Sequence, residues 1–294
     1  MSTPRSTALP EGVRRVVDDR TGLVTLRREG GGLGTVLLAP GFTGSKEDFL
    51  GLIEPLAGSG FGVFTFDQLG QYQSPGTNDP TDYALLALAQ DLRQLVDIAR
   101  LRRSRGDAPH LLGHSFGGLV SQVAVADTAF DVASWLGLCT GPGALPERRR
   151  GALPALIEAL PDTPLDELWA AKRALERAAD APDPPAAVEE FCRQRWMANS
   201  PVGLRAKAVI LCEQAPVVEG LRSRPDLPKA VMFGAQDDAW PTDVQRQMAH
   251  EIGADVLVIE GAGHSPNAEA PSATAAALAR WWRGTGSPAT VTGG

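Results

Sequence analysis

Short apolar runs alternate with longer amphipathic segments along most of the chain. Helices are predicted for the amphipathic segments, several of which open with a capping or proline signal such as Ser45-x-x-Asp48 or Asp79-Pro80. Strands are predicted for the apolar runs at 35–39, 62–66, 110–113, 133–139, 230–233 and 256–259, and the first of them is predicted to be a buried central strand. Repeated strand–helix–strand units place successive strands in parallel, so the pattern predicts an α/β fold with a mostly parallel sheet wrapped by helices.

Three segments depart from this alternation. Runs at 13–17 and 23–27 flank an Asp-Asp-Arg-Thr-Gly turn and predict an antiparallel hairpin at the edge of the sheet. Between 143 and 204 proline separates helical patterns and no strand is evident, which predicts an inserted helical cap. One of its helices is predicted to open at the TPLD capping box, 163–166, and another to run from about 183 to 199. The last eight residues, 287–294, are expected to form a frayed tail.

Composition excludes several classes of protein. With 294 residues, 43% of them hydrophobic and 21% charged, the chain suits a globular fold. A net charge of -7 offers no basic surface for nucleic acid. No apolar leader or membrane-length run is evident, so we expect a cytoplasmic protein that does not bind membranes. Three cysteines without C-x-x-C spacing indicate no metal site and no disulfide framework, and no cofactor motif is evident.

A candidate nucleophile lies in the segment GHSFG, 113–117, between a predicted strand and a predicted helix. A serine at such a tight turn is held in strained backbone geometry, and the residues two positions away on either side must be small. Gly113 and Gly117 meet that requirement. The context therefore predicts Ser115 as a nucleophile.

A serine nucleophile needs a base, and histidine is the side chain best suited to that role at neutral pH. His264 follows the last predicted strand in a glycine-rich loop, at the end of the sheet where such folds place active sites. His110 lies in a strand, His114 faces away beside the nucleophile, and His250 lies in a helix, so structural or surface roles are predicted for them. We therefore predict His264 as the base.

The base in turn needs a carboxylate to hold its tautomer. Asp237 and Asp238 are adjacent in the loop after the preceding strand, and either of them could serve. Asp67 also ends a strand, but it precedes the serine in the chain and is assigned a structural role. The order serine, acid, histidine is the one expected for this fold.

Three segments together resemble the α/β-hydrolase superfamily: GHSFGG at 113–118, GAQDDAWP at 234–241, and Gly263-His264 followed by E-x-P at 269–271. The resemblance covers nearly the whole chain. It implies that Asp237, three residues after a glycine and four before a proline, is the acid. Because the family's dehalogenases and epoxide hydrolases use aspartate as nucleophile, Ser115 disfavours those activities.

The resemblance also extends to the oxyanion loop. The segment PGFTG at 40–44 is similar to that loop of the family, which implies the backbone N–H groups of Phe42 and Phe116 as oxyanion donors. Two departures are evident: Pro40 replaces a common histidine, and QYQS at 71–74 replaces the usual His-Gly-x-Ser. The first leaves the backbone donors intact, and the second removes the basis for inferring the substrate from that of typical members.

Taken together, the resemblance implies an α/β-hydrolase core at 1–142 and 205–294, with the helical cap at 143–204 inserted in it. The implied function is that of a serine hydrolase that cleaves an ester-type bond of a mainly apolar small molecule through an acyl-enzyme. Hydrolysis of a thioester, a lactone or a carbon–carbon bond remains an alternative, as does a non-catalytic small-molecule receptor. The oligomeric state is left open.

Four aromatic residues are candidates for substrate binding. Trp240 lies beside the predicted acid, Tyr72 lies in the departing QYQS segment, and Trp169 and Trp196 lie in the predicted cap. Packing within the cap is the alternative role for Trp169 and Trp196, because large aromatic side chains usually serve burial.

Overall fold

A computed structural model describes residues 3–4, 6–101, 108–179 and 183–285. Within these residues, one sheet contains the eight strands β1 Arg14–Val17, β2 Val24–Arg28, β3 Gly34–Ala39, β4 Phe61–Phe66, β5 His110–His114, β6 Ser134–Leu138, β7 Lys229–Gly234 and β8 Asp255–Ile259. Their order is β1-β2-β4-β3-β5-β6-β7-β8. β1 and β2 form the predicted antiparallel hairpin, β2 pairs antiparallel with β4, and the remaining neighbours are parallel. The predicted mostly parallel sheet is confirmed.

Helices accompany the sheet in the expected alternation. The α-helices of the described residues are α1 Leu50–Gly58, α2 Leu85–Leu101, α3 Phe116–Val125, α4 Leu153–Ala159, α5 Leu165–Ala178, α6 Ala186–Met197, α7 Pro201–Glu213, α8 Glu219–Arg222, α9 Thr242–Ile252, α10 Pro266–Glu269 and α11 Pro271–Thr285. α3 packs against β5, and α1 packs against β4 and α11. None of these helices combines the length and the apolar character needed to cross a membrane.

The helix starts show how far local signals determine the structure. Ser45 and Asp48 form the predicted capping box, but it opens a 3-10 turn, Lys46–Phe49, before α1 begins. Asp79 likewise caps a 3-10 turn, and α2 begins only at Leu85. The capping box predicted for 163–166 is wrong: Pro164, with φ -58° and ψ 149°, is itself the N-cap of α5 and makes no side-chain capping bond, so the helix begins one residue later than predicted.

The central parallel strands form the core. Leu37, Leu38, Leu111 and Leu112 are fully buried on adjacent strands β3 and β5. Strands buried on both faces have nearly continuous apolar sequences, which is why these short runs were recognisable. The carboxyl ends of β5, β7 and β8 lie at one edge of the sheet, and this edge positions the candidate site.

Helices α4 to α7 lie between β6 and β7 in the chain, and we call them the insertion helices. α4 packs against α7, and α5 packs against α6. They have a separate apolar cluster, which includes Leu160, Trp169, Val188, Cys192, Trp196 and Leu204. The predicted domain boundary at 204 falls inside α7.

A buried ion pair connects the insertion helices to the segment that precedes α1. Nη1 of Arg195, on α6, lies 2.5 Å from Oδ1 of Asp48, and both side chains are fully buried. The other carboxylate oxygen of Asp48 accepts a hydrogen bond from the Ser45 N–H at 3.2 Å. Asn267, three residues after His264, donates to the Asp48 carbonyl at 2.8 Å. Asp48 therefore joins three segments around the candidate site.

The predicted tail at 287–294 lies outside the described residues.

Candidate active site

Ser115 lies at the turn between β5 and α3 in a backbone conformation that non-glycine residues rarely adopt. Its φ is 54° and its ψ is -120°. A Cβ on Gly113 would lie 2.4 Å from the Gly117 carbonyl oxygen, and a Cβ on Gly117 would lie 2.5 Å from the carbonyl oxygens of Ala39 and Pro40. Such strain persists only where the surroundings enforce it. The turn therefore has the strained, glycine-flanked geometry that the sequence predicts.

Hydrogen bonds fix the backbone of Ser115 on both sides. Its N–H donates to the Leu138 carbonyl at 2.9 Å. Its carbonyl accepts from the Gly118 N–H at 2.8 Å and from the Thr140 hydroxyl at 2.9 Å. The side chain is thereby held at the N-terminus of α3, where the helix dipole favours negative charge.

His264 and Asp237 come together with Ser115 although the three are distant in sequence. Nε2 of His264 lies 3.0 Å from Oγ of Ser115. Nδ1 of His264 lies 2.9 Å from Oδ1 of Asp237. An ionised carboxylate only accepts hydrogen bonds, so Nδ1 of His264 donates to Asp237, and whenever the ring carries a single proton Nε2 is left to accept from the serine hydroxyl.

The Asp237 carboxylate is fully buried and has further partners. The Ala239 N–H donates to Oδ1 at 3.0 Å, and the Gln245 side-chain amide donates to Oδ2 at 2.7 Å. Burial by itself raises the pKa of Asp237, but hydrogen bonding and charge from His264, with the bonds from Ala239 and Gln245, outweigh it and hold the pKa below its ordinary value. The acid is therefore ionised at neutral pH.

Three further hydrogen bonds, made by two side chains, fix the loop that contains His264. Nε2 of His114 lies 2.9 Å from the His264 carbonyl oxygen. Burial, and then the nearby charge of His264, lower the pKa of His114 to about 3, so its ring is neutral at ordinary pH. The Glu269 carboxylate accepts from the N–H groups of Gly263 and Ser265, on either side of His264. His114 faces the site rather than away from it, which corrects the sequence-based assignment.

The loop after β3 runs against Ser115. A Cβ on Gly41 would lie 3.1 Å from Cβ of Ser115. The Gln71 side-chain amide donates to the Gly41 carbonyl at 2.9 Å, and the Gln68 amide donates to the Pro40 carbonyl at 2.6 Å. In a trans peptide the carbonyl and the following N–H point in opposite directions. The bond from Gln71 therefore fixes the direction of the Phe42 N–H.

Ser115 opens onto a cavity of about 140 Å³. Polar lining comes from His264, His114, Thr43 and Asp48. Most of the remaining lining is apolar and consists of Phe42, Leu145, Leu153, Leu211, Ala239 and Trp240. The reactive groups thus lie in a small, largely apolar space.

Cys139 is the only thiol near these groups among the described residues. Its Sγ and ligand atoms of Asp237 and His264 lie within 4.8 Å of one another, close enough for a metal ion. Metal binding by cysteine requires the thiolate. Burial, and then the charge of Asp237, raise the pKa of Cys139 well above its ordinary value, so the donor set does not favour a metal.

A profile of the α/β-hydrolase family matches residues 36–277, most of the chain. The chain belongs to the α/β-hydrolase family. The curated relative RutD of Variovorax paradoxus (strain S110), assigned as a carbamate hydrolase, is 34% identical over 99 residues, which span 34% of this chain and 35% of that protein. The match thus spans about a third of the length of that relative.

Solved structures share the fold of this α/β-hydrolase. A thermophilic esterase from Thermogutta terrifontis matches with a TM-score of 0.72 at 22% identity, covering 94% of this chain and 99% of that one. A structure from work on carboxylesterases of Nitrososphaera gargenis matches with a TM-score of 0.72 at 20% identity, covering 92% and 98%. These likenesses extend the family assignment to the three-dimensional fold.

The α/β-hydrolase structure places the predicted site residues in two groups. Ser115, His264, Phe42 and Trp240 line the cavity, with Asp237 behind the histidine. Phe116 follows Ser115 at the first position of α3. The adjacent candidate acid, Asp238, is exposed on the loop surface.

The other candidates lie away from this cavity. Tyr72, with φ 43°, packs edge-on against Phe191 at 5.6 Å between ring centroids. Trp169 is buried against Trp196 at 6.1 Å. Sequence reasoning missed Gln245 as a partner of the site. It singled out the segments that contain Gln71 and Glu269 but assigned these two side chains no contact, because a motif does not specify which distant group a side chain bonds.

Proposed function

We propose that the protein is a serine hydrolase that cleaves an ester-type bond of a mainly apolar small molecule through an acyl-enzyme. The observation that carries the proposal is the continuous hydrogen-bonded series from Ser115 through His264 to Asp237, with separations of 3.0 Å and 2.9 Å. This arrangement is the one that activates a serine hydroxyl for attack on a carbonyl carbon.

In the acylation step, the Ser115 Oγ attacks the carbonyl carbon while Nε2 of His264 takes the hydroxyl proton. Asp237 stabilises the resulting imidazolium and holds its tautomer. Collapse of the tetrahedral intermediate breaks the bond to the leaving alcohol, which takes the proton from His264. In the deacylation step, a water molecule gives a proton to His264 and attacks the acyl carbon, and the acid leaves as Ser115 recovers its proton.

The oxyanion of each tetrahedral intermediate is held by the backbone N–H groups of Phe42 and Phe116. Support comes from the close approach of Gly41 to Ser115 and from the position of Phe116 at the start of α3. Donors fixed before the reaction need no reorganisation as charge develops, and each contributes roughly 10² to 10³ in kcat.

The apolar substrate class is supported by the lining of the cavity. Leu145, Leu153 and Leu211 face Ser115 together with Trp240. Leu153 belongs to α4 and Leu211 to α7, so the insertion helices act as the cap over the site. The esterases among the similar structures and the carbamate hydrolase among the relatives agree with hydrolysis at a carbonyl centre.

A fluorophosphonate probe followed by mass spectrometry tests the nucleophile. We expect the label on Ser115, and we expect Ser115→Ala to lose turnover of p-nitrophenyl butyrate by several powers of ten, roughly 10⁶ for a triad serine. Ser265→Ala, next to His264, is the matched control and should keep both label and turnover. Ordinary turnover by Ser115→Ala would overturn the proposal.

A substrate panel separates the bond types. Butyrate esters should be hydrolysed faster than the butyryl thioester, a γ-lactone or an aliphatic β-diketone. A higher kcat/KM for any of the latter would reassign the reaction while leaving the nucleophile in place. Binding of small apolar ligands without labelling of Ser115 would instead identify a receptor.

A further inference from the structure

The insertion helices leave a groove that their own packing does not fill. α4 packs against α7 and α5 packs against α6, while a cavity of about 510 Å³ is lined by both α4 and α5. Small side chains line both walls: Ala155 and Ala159 on α4, and Ala171 on α5. Helix pairs that serve only stability fill such positions with larger side chains. The alanines keep this space open.

The chemistry of the groove suits a neutral hydrocarbon chain. Leu156, Leu168 and Leu175 line it, and Leu175 remains 59% exposed. The charged groups in the lining, Lys172 and Glu176, form an ion pair with each other. The groove therefore offers apolar surface without an available charge to select an ionic ligand.

The groove adjoins the cavity at Ser115. Phe42, Thr43 and Leu153 line both spaces. Ligand sites usually occupy roughly 300 to 1,000 Å³. The cavity at Ser115, at about 140 Å³, falls below that range, whereas the groove, at about 510 Å³, lies within it. A substrate larger than a short ester must therefore extend past Phe42 and Leu153.

We propose that this groove is a second part of the substrate site and binds an unbranched apolar chain of the substrate, while the scissile bond lies at Ser115. The inference rests on the proposed ester hydrolysis. Trp196 forms part of the groove lining, and Trp169 supports Trp196 from behind at 6.1 Å between ring centroids. Of these two tryptophans, Trp196 is thus the one that contacts the chain.

Two ester series test the groove and identify which half of the substrate enters it. One series is p-nitrophenyl esters with acyl chains from acetate to dodecanoate, and the other is acetate esters of alcohols of the same lengths. In one series kcat/KM should rise by up to about fourfold for each methylene that enters the groove, which corresponds to roughly 0.8 kcal/mol per buried CH₂. The series that shows the rise identifies the acyl or the alcohol chain as the occupant.

Ala171→Phe blocks the groove at a position exposed to solvent, so the variant should fold normally. It should lower kcat/KM for the long-chain ester by about tenfold or more while leaving the acetate within about twofold, because two or three methylenes lose their burial. Ala174→Phe, exposed on the same helix but outside the groove lining, is the matched control and should keep the chain-length profile of the parent.

Binding of 11-(dansylamino)undecanoic acid, followed by fluorescence, tests the groove without turnover. The parent and Ala174→Phe should bind the probe, and Ala171→Phe should not. Equal binding by all three, or equal chain-length profiles, overturns the groove inference even when acetate is hydrolysed. A different result overturns the proposed function alone: the parent neither hydrolyses acetate nor labels at Ser115, but it binds the dansyl probe and Ala171→Phe does not. A change of oligomeric state in Ala171→Phe with an unchanged profile would identify the groove as a contact between copies and overturn the inference.

Discussion

The two sides of the proposed substrate site are built in different ways. Around Ser115 the backbone sets the geometry. Ser115 has a positive φ, and the two flanking glycines lie so close to carbonyl oxygens that no residue with a Cβ fits at either position. The insertion helices are held by side chains instead, through the apolar cluster at Trp169 and a network of ion pairs around Arg173. We call the surroundings of Ser115 the reacting side and the insertion helices the binding side. We expect the reacting side to tolerate few substitutions, and the binding side to tolerate more of them without loss of catalysis.

The largest effect is expected where the reacting side depends on one carboxylate. Asp237→Asn should lower kcat by roughly 10⁴, because an amide at this position favours the wrong tautomer of His264. Asp238→Asn is the matched control, since Asp238 is adjacent in sequence but exposed. Steady-state kinetics on one short ester measure both. A larger loss in Asp238→Asn would show that the wrong acid had been chosen.

The free energy of unfolding should depend more on the buried pair of Arg195 and Asp48 than on the ion pairs around Arg173. Arg195→Met leaves Asp48 buried without its cation and should lower the free energy of unfolding by roughly 3 to 5 kcal/mol. Arg173→Met removes ion pairs whose carboxylates are partly or largely exposed, so the loss should be on the order of 1 kcal/mol or less. Urea denaturation measures the difference. Equal losses would mean that the buried pair of Arg195 and Asp48 contributes no more to stability than the exposed ion pairs of Arg173.

A smaller effect on turnover is expected from the glutamine that orients the Phe42 N–H. Gln71→Leu should lower kcat by about 10 to 100-fold with KM little changed, less than the roughly 10² to 10³ for complete loss of an oxyanion donor. Gln68→Leu removes the neighbouring bond to Pro40, whose carbonyl does not orient a proposed donor, and serves as the control.

Gln71→His restores a donor at the same position and should recover part of the lost rate. If Gln71→Leu and Gln68→Leu lowered melting temperature and kcat equally, Gln71 would have only a structural role. In that case kcat would follow the stability of the loop after β3 as a whole rather than the direction of the Phe42 N–H.

Much of the reacting side was predictable because its signals are local. The turn at Ser115 requires glycines at fixed offsets, and those glycines are readable in the sequence. The loops of Asp237 and His264 follow the neighbouring parallel strands β7 and β8, and parallel strands bring such loops to one edge of the sheet. The choice of Asp237 over Asp238 needed the family spacing, because the two acids are equivalent by local pattern.

Other parts were not predictable because they depend on contacts between distant segments. Gln245 lies on an amphipathic helix, where a glutamine is usually exposed, yet its amide donates to Asp237. Arg195 and Asp48 are 147 residues apart and pair in the interior. Trp169 belongs to a mostly apolar stripe of α5, and periodicity alone cannot tell whether such a stripe faces a substrate or another helix.

The buried ion pair of Arg195 and Asp48 bears on how ligands enter and leave the site. Swinging the insertion helices away from the core would separate two fully buried charges, a step that costs several kcal/mol in proteins whose net stability is only about 5 to 15 kcal/mol. Phe42 and Leu153 line both cavities, so we expect a ligand to pass between them by motions of these two side chains. Such motions are faster than the microsecond-to-millisecond opening of a hinged lid, so we expect no lid-opening step to limit turnover.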